Sequence, residues 1–164
     1  GLELGLNGQQ DKLQWFANYG YVRATFEDSF AYSRGGDTLN VSKGDRLPST
    51  PEHNVKVGTD YAFTDKLSLG ATASFHSSQY LRGDEANDDS ELGGYGIVNL
   101  HGRYIVNKQV QFFAKVDNLF DNDYESFGLY GEPDEAPGLS TLSDERFVGA
   151  GAPRAGWIGI KVSM

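Results

Sequence analysis

The 164-residue sequence contains no cysteine, and its other shortages narrow the possible functions further. Without cysteine the chain has no disulfide framework, no thiolate nucleophile and no cysteine-ligated metal. No segment of the sequence approaches the roughly 18 consecutive apolar residues that a membrane-spanning helix requires. Basic residues number 14 against 23 acidic ones, which gives a net charge of −9. Since no basic stripe is available to neutralise phosphates, no nucleic-acid partner is expected.

Glycine and aromatic residues are abundant in the sequence. It contains 21 glycines, and aromatic residues make up 13% of the chain. Hydrophobic residues reach only 38%, a composition that also fits one soluble acidic domain. In a transmembrane β-barrel, however, apolar residues that face lipid alternate with polar residues that face the lumen. A mean hydropathy of −0.48 therefore does not exclude a membrane protein.

Strict alternation between His53 and Ser77 predicts the clearest β-hairpin of the chain. One face of the hairpin carries Val55, Val57, Thr59, Tyr61 and Phe63 on the first strand and Leu67, Leu69, Ala71, Ala73 and Phe75 on the second. With a turn at 64–66, Phe63 pairs with Leu67, and apolar residues face each other along the whole hairpin. A slip of one residue would destroy this match, so the sequence specifies the register strongly.

The same alternation predicts about seven strands of roughly ten residues, the length that a tilted strand needs to cross a bilayer. Besides the hairpin, the predicted strands cover 1–7, 13–26, 95–106, 110–120 and 155–164. The connections at 8–11, 64–66 and 107–109 are short, and those at 27–49, 78–94 and 121–154 are long. Short turns at one end and long loops at the other are typical of outer-membrane barrels.

The most specific motif of the sequence lies in the run from Val116 to Tyr124. It consists of Asn118, Leu119, Phe120, Asp121 and Tyr124. The motif follows a predicted strand and precedes a long polar loop, and it resembles the signature of the last hairpin in TonB-dependent outer-membrane receptors. The proline-containing segment 47–53 and the Gly-Ala-Pro-Arg sequence at 151–154 resemble further elements of that family.

The resemblance implies an all-β fold, in which this chain forms about seven C-terminal strands of a larger transmembrane antiparallel β-barrel of about 22 strands. An odd number of strands fits a portion of a barrel, because closed single-chain barrels of bacteria have even numbers. Residues 1–164 are accordingly expected to form the C-terminal part of a receptor barrel without its plug domain. The expected location is the bacterial outer membrane.

By the same resemblance, the protein is expected to be a receptor and transporter for a scarce ligand, most favourably a ferric siderophore. The TonB complex would act through an N-terminal part that this chain does not contain. The other expected partners are outer-membrane lipid and the remainder of the barrel with its plug. An enzyme is not expected, since the sequence has no Gly-x-Ser-x-Gly elbow or other nucleophile motif. No cofactor is implied.

Aromatic and basic side chains in or beside the long loops are the candidate ligand-binding residues. They are Tyr32, Arg34, Tyr80, Arg82, Tyr124, Phe127 and Tyr130. Exposed rings stack on ligands and arginines attract an anionic chelate, but the same rings can equally pack the loops together. Asp84, Asp88 and Asp89 are weak candidates for a Ca²⁺ site, because hard oxygen ligands suit that ion. We favour a solvated loop for these acids, since blocks of charge usually stay in water.

Two alternatives remain open from the sequence. The first is a small autonomous outer-membrane barrel, an adhesin or a structural envelope protein, which would need about eight strands to close. Its extra strand would come from residues 13–32 or from the loop at 127–142. The second alternative is a soluble β-sandwich module that binds carbohydrate, and it predicts two sheets whose apolar faces are buried in a common core.

Overall fold

The computed structural model describes residues 1–131 and 145–163, and all regular secondary structure in these ranges is β-strand. The strands are β1 (Leu2–Gln10), β2 (Leu13–Tyr21), β3 (Phe30–Arg34), β4 (Asp37–Val41), β5 (His53–Ala62), β6 (Leu67–His76), β7 (Tyr95–Ile105), β8 (Val110–Asp117), β9 (Glu125–Tyr130), β10 (Arg146–Ala150) and β11 (Ala155–Val162). No helix long and apolar enough to cross a membrane occurs in these ranges.

Seven of the strands form one sheet in the order β1-β2-β5-β6-β7-β8-β11. All neighbours in this sheet are antiparallel. Within the described residues, β1 and β11 each pair on one side alone, so the sheet is open at both edges. The predicted all-β fold with seven strands in one antiparallel wall is confirmed.

The register of the sheet is the one that the alternating pattern predicts. Tyr61 pairs with Leu69, and continuing this ladder brings Phe63 opposite Leu67. The ladder between β7 and β8 also follows the predicted pairing. Because the side-chain period of a strand is two residues, a correct register places every side chain on its predicted face.

The two faces of the sheet differ sharply in polarity. One face carries large apolar side chains that stay exposed, including Leu6 at 63%, Phe75 at 46% and Ile158 at 86%. The other face is polar, and there His101 Nε2 lies 2.8 Å from Asp60 Oδ1. An apolar face of this size suits contact with lipid and is unfavourable in water. A β-sandwich would bury this face against a second sheet, so that alternative does not fit.

The first strand is longer than the sequence predicts. We expected a strand at 1–7 and a turn at 8–11, but β1 continues to Gln10 and the turn lies at residues 11–12. Asp11 takes a positive φ of 50°, which a short polar side chain tolerates. Gly8 belongs to the strand. A Cβ at this position would lie 2.6 Å from the Trp15 ring, so a glycine here leaves room for that ring.

The long loops contain hairpins that the sequence did not reveal. β3 pairs with β4, and β9 pairs with β10, in two separate two-stranded sheets. Correspondingly, β2 ends at Tyr21 and β8 at Asp117, earlier than predicted. Neither hairpin joins the main sheet, so no eighth wall strand occurs in the described ranges, which does not favour the small autonomous barrel. The predicted end of the last strand at Met164 lies outside the described residues.

The most deeply buried apolar side chains lie in the loops and not in the sheet. Among the described residues they are Val41, Leu81, Ala86 and Leu92, each at most 7% exposed. A one-layer wall has no second layer to bury its side chains, whereas the loops fold on one another. The loops therefore form the only packed core in the described part of the chain, and the candidate ligand-binding residues belong to the same loops.

Candidate functional site

The motif of the sequence forms a corner at the end of β8, and Asn118 is its centre. Asn118 is 2% exposed and has a positive φ of 49°. Its amide nitrogen donates to the carbonyl oxygens of Asn122 at 2.9 Å and Ala152 at 3.1 Å, and its Oδ1 accepts the N–H of Asn122 at 3.0 Å. One side chain thus ties the end of β8 to the segment that enters β11.

Asp121 completes the corner from the other side. It also has a positive φ, 55°, and its Oδ1 accepts the backbone N–H of Arg154 at 2.9 Å. The Arg154 guanidinium lies 3.5 Å from the Asp121 carboxylate and also donates to the Leu119 carbonyl oxygen at 3.5 Å. Phe120 projects outward and is 65% exposed. The geometry assigns the motif a structural task, which is to place β11 beside β8.

Tyr124 is fixed by packing just beyond the corner. Its ring stacks on Tyr95 with 4.5 Å between centroids. On Gly151, a Cβ would fall inside the Tyr124 ring, so only glycine leaves room there. The chain around these rings borders an open groove of about 690 Å³, whose lining includes Asn122 and Glu125. Tyr95 was not among the candidate residues, because it was assigned to the barrel wall.

Three long loops meet at one end of the sheet, and we call them L1 (residues 22–52), L2 (77–94) and L3 (118–154, described except for 132–144). L2 and L3 are joined through their backbones, because Arg82 donates to Gly128 at 3.1 Å and Tyr130 donates to Arg82 at 2.8 Å. Leu81 of L2 packs against Gly128 so closely that a Cβ there would lie 2.9 Å from the leucine. L1 contacts L2 through the Ser49 N–H, which donates to the Tyr80 carbonyl oxygen at 2.9 Å.

Arg34 of L1 reaches both other loops. Its Nη2 lies 2.6 Å from Asp89 Oδ2, and its Nη1 donates to the Gly83 carbonyl oxygen at 2.9 Å. Its guanidinium carbon lies 4.3 Å from the centre of the Tyr130 ring in L3. The Tyr32 hydroxyl also donates to Gly83 at 2.9 Å. Burial and the nearby Glu85 carboxylate raise the pKa of Tyr32.

Arg46 fastens the root of L1 to L2 in a similar way. Its Nη1 lies 2.6 Å from Glu91 Oε1, its Nε lies 3.6 Å from Glu52, and its guanidinium covers the Tyr80 ring at 5.3 Å. The Arg46 backbone is held as well, because its N–H donates to Asn87 Oδ1 at 2.6 Å and its carbonyl oxygen accepts from Asn87 Nδ2 at 2.9 Å. Asn87 was missed by the sequence reasoning, since nothing in its neighbours marks it as a loop connector.

The acidic residues of L2 have different roles. Asp84 is fully buried, and its two oxygens accept the backbone N–H groups of Asp88 at 3.0 Å and Asp89 at 3.2 Å. Burial raises the pKa of Asp84. Asp88 is exposed, and Asp89 pairs with Arg34. The favoured solvated loop is therefore wrong for Asp84, whose carboxylate organises the loop. The described residues contain no group of three acidic or histidine side chains arranged around a possible metal.

The seven candidate ligand-binding residues thus separate into two groups. Tyr32, Arg34, Tyr80 and Tyr130 are half-buried between loops, and Tyr124 is half-buried beside Tyr95. Arg82 and Phe127 are exposed, the latter at 44%. The structure brings Tyr32, Arg34 and Tyr130 together around Gly83 and places Tyr80 against Arg46. Arg82 and Phe127 stay on the surface of the loops. A ligand contact by any of the seven stays a prediction.

An open antiparallel wall with one apolar face and long loops at one end defines the class of protein as a β-barrel membrane protein, of which the chain supplies a part. A model of the family described as TonB dependent receptor-like, beta-barrel, matches residues 1–119. The chain belongs to this family, whose members are receptors and transporters.

Curated relatives agree with that membership. The chain is 32% identical over 127 residues to the probable TonB-dependent siderophore receptor PiuA of Acinetobacter baumannii, which covers 76% of the chain and 17% of that protein. It is 37% identical over 92 residues to the catecholate siderophore receptor Fiu of Escherichia coli K12, which covers 56% of the chain and 12% of Fiu. The matched segments therefore span less than a fifth of the length of these relatives.

Solved structures are similar over nearly the whole chain. The siderophore receptor PiuA from Acinetobacter baumannii superposes with a TM-score of 0.79 at 23% identity, over 98% of this chain and 21% of that chain. A mutant of the ferric enterobactin receptor of Pseudomonas aeruginosa gives a TM-score of 0.64 at 24% identity, over 99% of this chain and 22% of that chain. At these identities the likeness concerns the fold, which is that of part of a receptor barrel.

Proposed function

We propose that the whole protein is an outer-membrane receptor that binds a ferric siderophore and imports it with energy delivered by TonB. The observation that carries this proposal is the open wall of seven strands with an exposed apolar face, in a chain that belongs to the TonB-dependent receptor family. Residues 1–164 would be the C-terminal part of its barrel. The plug and the segment that meets TonB would lie in other parts of the protein.

The sheet supports the proposed membrane location. Strands of 8 to 11 residues in the main sheet match the roughly 9–11 residues with which a tilted strand crosses a bilayer. The apolar face would contact outer-membrane lipid, and the polar face would line the lumen around the plug. Because the short turns lie at the end opposite L1, L2 and L3, these loops would lie outside the cell.

The ligand class rests on the relatives. PiuA is named as a probable siderophore receptor and Fiu as a catecholate siderophore receptor. A Pseudomonas aeruginosa protein at 37% identity is named as a ferric enterobactin receptor. Within this chain, the exposed residues Arg82 and Phe127 would be available for direct contact with such a chelate. Tyr124 would contribute from the groove beside Tyr95. The half-buried candidates would instead shape the loops.

A deletion in L3 tests the proposed capture of ligand. Asn118 Nδ2 reaches the carbonyl oxygens of both Asn122 and Ala152, so these two residues are close enough to be joined by a short linker. Replacing residues 123–151 with a Gly-Ser linker in the full-length receptor removes most of L3 and keeps the corner. We expect strongly reduced uptake of ⁵⁵Fe presented as ferric enterobactin, with a normally folded, heat-modifiable barrel.

The matched control replaces the turn at 64–66 with Gly-Ser-Gly, since this turn lies at the opposite end of the sheet. It should leave uptake unchanged. Wild-type uptake by the L3 deletion would refute a role of L3 in capture. If the unmodified receptor takes up neither ferric enterobactin nor a ferric hydroxamate, the proposed function itself is wrong.

A further inference from the structure

We propose that Arg34 is a positioning residue that couples the β3–β4 hairpin of L1 to L2 and L3, and that ligand capture depends on this coupling. The inference rests on the proposed function and changes the role that the sequence suggests for Arg34. It would act through other loops and not by touching the ligand.

The contacts of Arg34 leave little of its guanidinium for a ligand. Asp89 and Gly83 of L2 take up two of its N–H groups, and the Tyr130 ring of L3 covers its face. The side chain is only 20% exposed. An anionic chelate would have to displace a short charge-assisted hydrogen bond to reach this guanidinium, which is unfavourable.

Gly83 is the point at which the three loops meet. Its carbonyl oxygen accepts from both Tyr32 and Arg34 of L1. Its φ of 96° is in the left-handed region, and a Cβ would lie 3.1 Å from Cβ of Tyr130 in L3. Glycine is therefore required here both for the backbone conformation and for the close approach of L3. The backbone of L2 and L3 therefore forms the place at which Arg34 is bound.

Arg34 holds a specific part of L1. L2 and L3 are already joined by backbone hydrogen bonds between Arg82, Gly128 and Tyr130, and Arg46 separately holds the root of L1. Arg34 is at the end of β3, so it attaches the β3–β4 hairpin to the joined pair L2 and L3. Loss of Arg34 should loosen this hairpin, which then keeps only the Tyr32 hydrogen bond of the two to Gly83. The contact between Arg46 and Asn87 should stay in place.

A coupled set of loops favours ligand binding because its surface is ordered before the ligand arrives. Ordering loops and side chains during binding costs free energy that a pre-organised surface avoids. A receptor with a released hairpin should therefore bind its ligand more weakly, even if none of the lost contacts involves the ligand.

The test uses the full-length receptor with Arg34→Gln, Arg34→Lys and, as a control, Lys43→Gln. Lys43 belongs to the same loop, and its contact with Glu27 at 3.5 Å joins two side chains that are 70% and 83% exposed. Both glutamine variants remove one positive charge from L1, but Lys43→Gln leaves the junction at Gly83 intact. Lysine in place of Arg34 keeps the charge for Asp89 and loses the planar fork, so its effect should be intermediate.

Two quantities are measured: amide hydrogen exchange in the ligand-free receptor, and the affinity for ferric enterobactin. For Arg34→Gln we expect about tenfold faster exchange at the amides of the β3–β4 hairpin, because a half-buried, charge-assisted hydrogen bond is lost. Exchange at Asn87 should stay as in the wild type. The affinity should fall by a similar factor, and Lys43→Gln should change neither quantity.

Three results would overturn the proposal. Unchanged exchange together with weaker binding would make Arg34 a ligand contact, and faster exchange with unchanged affinity would make it a purely structural residue. If Lys43→Gln had the same effect as Arg34→Gln, the effect would come from the lost positive charge and not from the contacts of Arg34.

If Arg34→Gln does not fold, Asp89→Asn serves as the second variant and should show the same changes to a smaller extent. Failure of the wild-type receptor to bind any ferric siderophore would instead refute the proposed function, while the exchange result would still decide whether Arg34 couples the loops.

Discussion

At the scale of single residues, Asn118 explains why the motif is specific. Its position requires a positive φ, a buried side chain and both a donor and an acceptor, which connect Asn122 and Ala152 to the end of β8. Asparagine tolerates the left-handed conformation better than most residues and has both kinds of hydrogen-bonding group. Few other residues could satisfy all of these demands together.

Replacing Asn118 tests this account. Asn118→Ala removes the three hydrogen bonds and adds strain at positive φ, so we expect a loss of about 2–4 kcal/mol in the free energy of unfolding. Asn118→Gly is the matched variant, since it loses the same bonds without the strain and should lose less. Unfolding of the receptor in lipid gives both values. Two variants with wild-type stability would show that the corner does not need this side chain.

Asp84 gives L2 a predictable dependence on pH. Burial, with a smaller contribution from the Asp89 charge, raises the pKa of Asp84 above the ordinary 3.8. The N–H groups of Asp88 and Asp89 and the Arg34 charge act in the opposite direction, but they do not cancel the increase. The closed loop therefore binds the proton more tightly than the open loop does. The free energy of opening L2 should fall as the pH rises from 3.8 through the pKa of the closed loop, and should be level above it.

Exchange rates of the Asp88 and Asp89 amides, corrected for intrinsic exchange, measure this opening. Asp84→Asn is the control, because asparagine does not titrate and the free energy of opening L2 should then not change with pH. An equal pH dependence in the variant would assign the effect to another group.

Single residues were also where sequence reasoning was weakest. The sequence identified Tyr32, Arg34 and Tyr130 as loop residues able to bind a ligand, and for the two rings it gave packing between loops as the alternative. Their partner Gly83 lies about 50 residues from Tyr32 and Arg34, at separations of 51 and 49 residues. No local pattern reports a contact over that distance. For the same reason the burial of Asp84 amid other acids was not predictable.

At the scale of elements, alternation predicted most of the wall. The register of β5 and β6 followed from matching apolar residues on one face, because the pleat has a period of exactly two residues. The hairpins β3–β4 and β9–β10 were missed, since their strands are only five or six residues long and lie within long loops, outside the alternating pattern of the wall. Gly8 was taken for a turn residue because glycine favours turns, but here it accommodates Trp15.

A pair of arginine substitutions tests the two faces of the wall. Ala71, near the middle of β6, pairs with Thr59 and Leu100 on the apolar face, and its neighbour Thr72 is on the polar face. Ala71→Arg should destabilise the barrel by about 2–4 kcal/mol, because arginine is costly at the centre of the bilayer, and Thr72→Arg should cost much less. Folding titrations in lipid compare the two. Equal destabilisation would refute the assigned faces.

At the scale of the whole molecule, the open edges are the decisive feature. Within the described residues, β1 and β11 present unpaired backbone groups along one side each. In a bilayer such groups must be satisfied, because hydrocarbon offers no hydrogen-bonding partner. A wall of this kind is therefore stable in a membrane only when further strands close it into a barrel. The relatives, which are several times longer than this chain, have room for those strands.

These seven strands are expected to form one part of a larger outer-membrane receptor. The most direct test is the intact mass of the native protein, extracted with detergent from outer membranes and mapped by peptides. We expect a mass several times the 18.0 kDa of this chain, with additional peptides from the remaining strands and the plug. A heat-modifiable protein of 18.0 kDa in those membranes would contradict this expectation and would favour a small autonomous barrel.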